Sequence, residues 1–356
     1  MKRKPFFSII IPTYNRSSEL KIALRRIIHQ KFKDFEIIIV DNSSTDDTSK
    51  VVESFQDRRI KYFKNKKNIG WILSIKKGLK LVKGSYVLFQ GDDDFMLGYN
   101  ILTKLFNILV KKKYGFVRLN YCSITEDKKR IFDFKVNKKF SHFSEMLKGK
   151  TNEEYFKFIE MVDPFFISGI VIKNDFPRNV KFMNSEIAPW LNLIFYNIAK
   201  YGGAFIPEYS FVAKWPTKKK GVLHAYFTLR NGAFTFEKYF ESASKILSKE
   251  EYESLVQSHT KKIIKIFPVA KYHSSNGYLI EYVKRLVYLY PNLKTSNYLK
   301  FWLFISLITP GFVIGLVRRL FLFRLMFLSD LNNDLKLIKK IKQALGTDGK
   351  SSILIK

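Results

Sequence analysis

The chain has 356 residues, of which 46% are hydrophobic, and a formal net charge of +32 at pH 7. Its length and apolar content allow a substantial buried core and suggest about two domains. The single cysteine, Cys122, excludes an internal disulfide, and the charge favours polyanionic partners such as phosphorylated substrates, anionic lipid or nucleic acid. A general lysine bias of the source proteome would produce the same charge, so that alternative stays open.

Short apolar runs alternate with helical patterns at the start of the chain. Residues 6–11, 35–40 and 60–63 are predominantly apolar runs, each with a single polar residue, which are typical of strands in a sheet covered on both faces. The first run ends at Pro12 after six residues, which is too short for the apolar part of a signal peptide. Helical spacing follows it through Gln30, and a third helix is predicted from about Trp71, with Gly84 as its stop.

A fourth predicted strand runs straight into three carboxylates. Residues 86–89 are apolar, and Asp92, Asp93 and Asp94 follow after Gln90 and Gly91. Adjacent acids repel one another unless a cation neutralises them, and hard cations such as Mg²⁺ or Mn²⁺ take carboxylate oxygens together with substrate phosphates. The run therefore predicts a metal site that suits a nucleotide diphosphate. An exposed acidic turn that caps the next helix is the alternative.

Strands and helices that alternate in this way predict βαβ crossovers and a mostly parallel, doubly wound α/β sheet. Ligands of such sheets bind beyond the carboxyl ends of the strands. That edge would collect residues 13–16, Asp41 and residues 92–94, although they lie far apart in the sequence. Neither G-x-G-x-x-G in the first strand–helix turn nor G-x-x-x-x-G-K-[ST] anywhere is present, which argues against a Rossmann dehydrogenase and a P-loop enzyme.

Five motifs jointly resemble the inverting nucleotide-sugar glycosyltransferases of family 2. They are Ile10 to Arg16, Val40 to Asp46, Asn68 to Gly70, Lys83 to Tyr86, and Asp92 to Asp94. The resemblance is specific over roughly residues 5–115 and looser to about residue 215. It implies a GT-A fold, that is, a Rossmann-like doubly wound, mostly parallel sheet, in a domain of residues 1–225.

The resemblance also assigns binding roles. Asp41 would accept a hydrogen bond from the nucleotide base, with a helix-capping acid as the alternative. Asp93 and Asp94 would hold Mn²⁺ or Mg²⁺, with Asp93 the first choice, because Gly91 stands where the family commonly has its first acid. The nucleotide-binding residues implied by the resemblance are Pro12, Thr13, Tyr14, Asn15, Asp41, Asn68, Gly70 and Asp92.

An inverting transfer needs a base that takes the proton of the acceptor hydroxyl. The resemblance implies that Glu186, at the head of a predicted helix, is this catalytic residue, although Trp190 stands where a second acid is expected. An ordinary first-turn acid, favoured by the helix dipole, is the alternative for Glu186. Asp163 and Asp175 are weaker candidates for the base.

The second half of the chain predicts helices: an extension over residues 226–298 and a membrane-associating segment over residues 299–356. Residues 301–317 carry no charge and contain Pro310-Gly311, which favours a re-entrant or interfacial hairpin over a spanning helix. A buried core helix is the alternative. In the tail, leucines and isoleucines lie opposite lysines, which predicts a basic amphipathic helix on an anionic membrane surface.

These observations predict a metal-dependent inverting glycosyltransferase at the cytoplasmic face of the cell membrane. It would transfer a sugar from a nucleotide-diphosphate donor to a glycan or lipid-linked glycan acceptor. No nucleic-acid partner is expected, because no RNA- or DNA-binding signature accompanies the basic residues. A nucleotidyltransferase with a similar sheet and a catalytically silent, membrane-bound glycan-binding scaffold are the alternatives.

Overall fold

The computed structural model describes residues 4–125, 131–132, 143–162, 166–176, 190–215, 248–265, 267–268, 271, 275–327 and 334–345. The chain divides into two compact units. The first comprises Met1–Met183, Ala188–Thr217 and Ser329–Lys356, and the second comprises Asn184–Ile187 and Lys218–Leu328.

A single sheet organises the first unit. Its strands are β1 (Phe7–Thr13), β2 (Phe35–Asp41), β3 (Ile60–Lys64), β4 (Tyr86–Phe89), β5 (Phe95–Met96), β6 (Phe116–Thr125), β7 (Ile131–Phe132), β8 (Ser144–Met146), β9 (Ile170–Lys173) and β10 (Gly203–Trp215). Its helices are α1 (Ser17–Ile28), α2 (Thr48–Ser54), α3 (Trp71–Leu81), α4 (Ile101–Lys112), α5 (Asn152–Met161) and α6 (Leu191–Tyr201).

The strand order is β3-β2-β1-β4-β9-β6-β10-β5. Strands β1 to β4 are parallel, and β9 lies antiparallel between β4 and β6, so that β6 and β10 run in the direction of β4. The predicted mostly parallel α/β sheet is therefore confirmed. Because β1, β2 and β4 are parallel neighbours, the segments that follow them emerge at the same edge.

Apolar burial on both faces of the sheet explains the predominantly apolar runs. Ile9, Ile37 and Leu88 are fully buried in one cluster with Leu24 of α1 and Leu105 of α4. Side chains of this kind stabilise by about 1.5–3 kcal/mol each on burial. The central strands thus form a rigid base for the loops at their carboxyl ends.

The C-terminal helix α11 (Leu335–Leu345) belongs to the first unit. Its apolar side chains Leu337, Ile338 and Ile341 are buried in a cluster with Phe95 of β5 and Val212 of β10. The predicted tail on the membrane is therefore corrected: the apolar face of the amphipathic helix packs against the sheet unit, because that unit offers it an apolar surface. Lys336, Lys339 and Lys340 stay exposed.

The second unit contains α7 (Lys249–Lys265), α8 (Asn276–Leu289), α9 (Asn297–Ile308) and α10 (Gly311–Phe327). Leu299 of α9 is buried with Leu279 and Tyr282 of α8. The predicted boundary at residues 298–299 is therefore misplaced, because the apolar segment begins inside the core of this helical unit.

Helices α9 and α10 meet at Pro310, where the chain turns. Lys271 donates hydrogen bonds to the carbonyl oxygens of Leu307 (2.8 Å) and Thr309 (2.7 Å), which satisfies the end of α9. Among the described residues, no helix is by itself long and apolar enough to cross a membrane. Residues 297–308 and 311–317 meet that requirement only as a pair, which is bent by 105°.

Candidate nucleotide and metal site

The loops that follow β1 and β2 are joined by hydrogen bonds. The Asn42 N–H donates to the Thr13 carbonyl (2.8 Å), the Asn15 N–H to Ser44 Oγ (2.9 Å), and the Thr45 N–H to Asn15 Oδ1 (2.8 Å). Asn15 has a left-handed backbone conformation with φ of 50°, which asparagine tolerates better than most residues. The predicted residues Thr13 and Asn15 thus lie on one connected surface.

Asp46 caps two helices at this edge. Its Oδ2 accepts from the Ser17 N–H at the start of α1 (2.9 Å), and its Oδ1 accepts from the Thr48 N–H at the start of α2 (3.1 Å). A carboxylate from a distant loop therefore caps α1. Burial would raise the pKa of Asp46, but the hydrogen bonds from Thr48 and Ser17 together lower it.

Asp41 at the end of β2 is fully buried. Its Oδ1 accepts from the Ser44 N–H (2.8 Å) and Oγ (2.6 Å), and its Oδ2 accepts from the Tyr62 hydroxyl. These contacts give Asp41 a structural role, and its hydrogen bond to a nucleotide base stays a prediction. Asp41 fixes the β2–α2 loop, which then positions Asn15.

A third loop, between β3 and α3, joins the same edge. Asn42 donates from Nδ2 to Asn68 Oδ1 (2.5 Å) and accepts from the Ile69 N–H (2.8 Å), and the Gly70 N–H also donates to Asn68 (3.0 Å). Gly70 has φ of 83°, a conformation that favours glycine. The structure thus places the predicted residues Asn68 and Gly70 beside the β2–α2 loop.

The acid run lies beyond β4, next to the β1–α1 loop. Arg16 Nη1 lies 3.0 Å from Asp92 Oδ1 and 2.6 Å from Asp93 Oδ2. The side chain of Asp92 is 8% exposed and that of Asp93 is 29% exposed. Burial raises the pKa of Asp92, whereas the charge of Arg16 opposes that rise. Arg16 is therefore the cation that holds two of the three acids together.

Asp94 points away from this pair. It is buried, and Ser168 Oγ donates to its Oδ2 (2.5 Å) while accepting from the Gly91 N–H (2.8 Å). Burial, and next the charge of Asp93, raise the pKa of Asp94 well above its ordinary value. Asp94 therefore shapes the loop, and its predicted metal role stays a prediction.

Gly91 explains the departure from the common acid pattern. A Cβ at this position would lie 2.7 Å from Asp94 Oδ2, which is closer than side chains approach. An acid at position 91 would collide with the inward carboxylate of Asp94. The loop therefore offers Asp92 and Asp93 to a ligand.

Asp92 and Asp93 suit a hard divalent cation, although the described residues contain no cluster of three or more His, Cys, Asp or Glu side chains around one point. Mg²⁺ and Mn²⁺ sites commonly use one or two carboxylates and complete their coordination with water and substrate phosphates. Close by, the buried Thr13 at the end of β1 lies near enough to Asp92 for its hydroxyl to lower the pKa of that carboxyl. Asp92 and Asp93 therefore fit the predicted Mg²⁺ or Mn²⁺, and Arg16 competes with the metal ion for their oxygens.

The predicted base Glu186 lies outside the described residues, as does Asp163. Asp175 follows β9, whose antiparallel direction brings it to the opposite edge of the sheet, where it pairs with Lys200 (3.5 Å) and Tyr201. Trp190 is buried against Phe89, with ring centroids 6.4 Å apart. Trp190 is thus a core residue, and Asp175 is excluded as the base by its position.

Arg16 and Ser168 were not predicted as site residues. Arg16 stands inside the first motif, but nothing in the sequence shows that its guanidinium reaches residues 76 and 77 positions away. Ser168 comes from the segment before β9, and Arg118 Nη1 holds its carbonyl at 2.6 Å. Arg16 and Ser168 lie next to the acid run because β1 and β9 are the two neighbours of β4 in the sheet.

Comparison with known proteins finds a family model and relatives that are similar to this part of the chain. Residues 8–165 match the family described as Glycosyl transferase family 2. A GalNAc(5)-diNAcBac-PP-undecaprenol beta-1,3-glucosyltransferase of Campylobacter jejuni is 32% identical over 197 residues, which cover 53% of this chain and 60% of that protein. The Escherichia coli UDP-Glc:alpha-D-GlcNAc-diphosphoundecaprenol beta-1,3-glucosyltransferase WfaP is 33% identical over 114 residues, or 32% and 45% of the two chains.

A solved structure with a similar outline is the mannosyltransferase PcManGT from Pyrobaculum calidifontis in complex with GDP-Man and Mn²⁺. It has a TM-score of 0.48 and 15% identity, and the match covers 90% of this chain and 88% of that chain. The chain spans less than two thirds of either curated relative. The match of residues 8–165 to glycosyltransferase family 2 agrees with the resemblance that the motifs of the sequence implied.

Proposed function

We propose that this protein is a metal-dependent, inverting glycosyltransferase that moves a sugar from a nucleotide-diphosphate donor to a lipid-linked or surface-glycan acceptor. The observation that carries the proposal is that Arg16 of the β1–α1 loop contacts Asp92 (3.0 Å) and Asp93 (2.6 Å). Carboxylates that hold a cation, beside a connected set of polar loops, suit a nucleotide diphosphate.

The two curated relatives support the choice of acceptor, because both names state an undecaprenol diphosphate carrier. The name of the second also states UDP-Glc as donor. We therefore propose a lipid diphosphate-linked glycan as the acceptor class and a uridine diphosphate sugar as the first donor to test.

The chemistry assigned to this chain is binding, orientation and proton transfer. Asp93, and Asp92 beside it, would hold Mn²⁺ or Mg²⁺, which when bound supplies neutralisation of the charge on the leaving diphosphate. Thr13, Asn15 and Asn68 would position the nucleoside. Glu186 would accept the proton of the attacking hydroxyl, for which it must come within about 3 Å of that oxygen.

The main test measures diphosphate release from a panel of nucleotide sugars with a membrane extract as acceptor. Asp93→Asn should lower turnover about a hundredfold or more, because it removes a charge that fixes the metal at the leaving group. Asp47→Asn, at an acid that pairs with Lys50 on α2, is the matched control and should leave turnover unchanged. Unaltered turnover in Asp93→Asn would rule out the proposed metal site.

The same assay separates the rival functions. Pyrophosphate release from a nucleoside triphosphate would identify a nucleotidyltransferase instead. Glycan binding without turnover of any donor would identify a silent scaffold. Full activity in Glu186→Gln would remove Glu186 as the base without affecting the rest of the proposal.

We also propose that α9 and α10 attach the protein to the cytoplasmic face of the membrane. Their large apolar side chains are solvent-exposed, including Phe304 at 60% and Phe312 at 77%. Exposed Lys300 and Arg319 flank them, which suits anionic headgroups. Such a segment would lie in the membrane–water interface, with its apolar side chains among the acyl chains.

Vesicle sedimentation tests this attachment. Phe312→Ser should lower the bound fraction on vesicles that contain anionic phosphatidylglycerol, because it removes an apolar contact with the acyl chains. Tyr288→Ser, at a side chain of α8 that is 74% exposed, is the control and should bind as the unaltered protein does. Equal binding by both variants would contradict the proposed role of α9 and α10.

A further inference from the structure

Arg16 occupies the carboxylates that a divalent cation would use. Its Nη1 reaches Asp92 Oδ1 and Asp93 Oδ2 at 3.0 and 2.6 Å, so the two acids share one guanidinium. Asp93 is the more exposed of the two acids, at 29%. A metal ion that takes the same two oxygens must displace the guanidinium from them.

The backbone of Arg16 is fixed, while its side chain reaches into solvent. The Leu20 N–H donates to the Arg16 carbonyl (2.9 Å), and both chain neighbours are held: Asn15 by Ser44 and Ser17 by Asp46. The Arg16 side chain is 48% exposed. Rotation about the side-chain bonds can therefore release the guanidinium without any change in the loop.

Another acid lies close to Arg16 along the chain. Glu19 is in the first turn of α1, three residues after the N-cap Arg16, where it accepts from Ser18 Oγ (2.7 Å) and Lys214 Nζ (2.9 Å). Side chains with this spacing lie on the same side of a helix. The guanidinium has an acceptor to turn towards when the acid run binds a cation.

We propose that Arg16 is a displaceable counter-ion: it pairs with Asp92 and Asp93 in the ligand-free protein, yields them to a divalent cation, and then contacts the diphosphate of the donor. This rests on the proposed function. The consequence is a coupling between ligands. The cation alone binds weakly because it must displace Arg16 from the two acids. When the nucleotide is also bound, the displaced Arg16 contacts its diphosphate, which offsets the lost ion pairs. The cation and the nucleotide therefore strengthen the binding of each other.

Titration with Mn²⁺ alone tests the competition, with calorimetry or the electron paramagnetic resonance of free Mn²⁺ as the readout. Arg16→Gln should bind Mn²⁺ at least about fivefold more tightly than the unaltered protein, at the lower end of ordinary coupling between sites. Arg16→Lys, which keeps the charge but offers a single ammonium group, should lie between the two.

Arg25→Gln is the matched control, since Arg25 lies on the exposed face of the same helix and its loss changes net charge equally. It should leave Mn²⁺ affinity unaltered. If it tightens Mn²⁺ binding as much as Arg16→Gln does, the effect is one of total charge and the inference is overturned. Thermal unfolding of each variant shows that the comparison is between folded proteins.

A second titration, with UDP and then GDP as probes, measures the coupling. In the unaltered protein, Mn²⁺ should tighten nucleotide binding, and in Arg16→Gln that factor should fall at least about fivefold. Equal Mn²⁺ affinity in Arg16→Gln and the unaltered protein would overturn this inference and leave the proposed metal site standing. Absence of Mn²⁺ binding in every variant would overturn both.

Discussion

Glu36 is a buried carboxylate that holds the edge of the sheet opposite the candidate site. Its Oε1 accepts from Ser8 Oγ (2.6 Å) and from the Lys83 N–H (2.7 Å), while Lys61 pairs with its Oε2. Burial would raise the pKa of Glu36, but hydrogen bonds from Lys61, Ser8 and Lys83 lower it below its ordinary value of 4.5. The charged form is therefore the one that the fold stabilises.

The pH dependence of stability follows from that direction. Glu36 contributes stability that is fully present above its unfolded pKa and is lost as the pH falls through its lower folded pKa. Glu36→Gln should lower the free energy of unfolding by about 2–3 kcal/mol at pH 7, because it leaves buried donors poorly paired. Urea unfolding at pH 7 and at pH 3 measures it, and a difference that does not shrink at pH 3 would contradict the role of the charge.

At the scale of elements, Gly84 follows the end of α3, as predicted, but it does not cap the helix. Helix α3 ends at Leu81, and Val82 continues in an extended conformation, so the left-handed glycine cap that the sequence predicted is not used. The glycine is needed because a Cβ at position 84 would lie 2.5 Å from the backbone nitrogen of Ser8. Gly84 lets the chain enter β4 in close contact with β1.

Gly84→Ala should therefore destabilise the protein by about 1–3 kcal/mol, the usual cost of overpacking, because backbone must move to admit the methyl group. Gly98→Ala is the control, since its Cβ would meet nothing closer than 3.9 Å. Thermal unfolding compares the two. Equal melting temperatures for both variants would show that the backbone can move to admit a methyl group at position 84, which would contradict the prediction.

At the scale of the whole molecule, the C-terminal helix supports the segment that carries the acids. Ile341 of α11 is fully buried, in the same cluster as Phe95 and Leu97, which follow Asp94 directly. The last described helix of the chain thus packs beneath the acid run. Its exposed lysines can still meet an anionic surface, but its apolar side chains Leu337, Ile338 and Ile341 are already covered.

Ile341→Ala should destabilise the first unit by about 2–4 kcal/mol, because it removes buried methylene groups and leaves a cavity. Lys339→Ala, on the exposed face of the same helix, should change stability by less than about 0.5 kcal/mol. Chemical unfolding measures both. An Ile341→Ala protein as stable as Lys339→Ala would mean that α11 is not held against the sheet unit.

The sequence by itself determined the alternation of strands and helices, the mostly parallel sheet and the position of the acid run at a strand end. These follow from local causes: apolar runs, helical spacing, and the rule that parallel strands end at one edge. The break at Pro310 was predicted for the same kind of reason, since proline ends a helix whatever surrounds it.

Only the tertiary structure decided which acid faces which partner. Asp41, Asp93 and Asp94 look alike in sequence, yet one is closed off by Ser44 and Tyr62, one pairs with Arg16, and one turns inward to Ser168. The tail helix has an apolar face that suits a membrane or a protein surface equally well, and packing on β5 and β10 settled that choice. The physical reason is common to both cases: hydrogen bonds and apolar contacts between distant residues depend on strand order, which no local pattern contains.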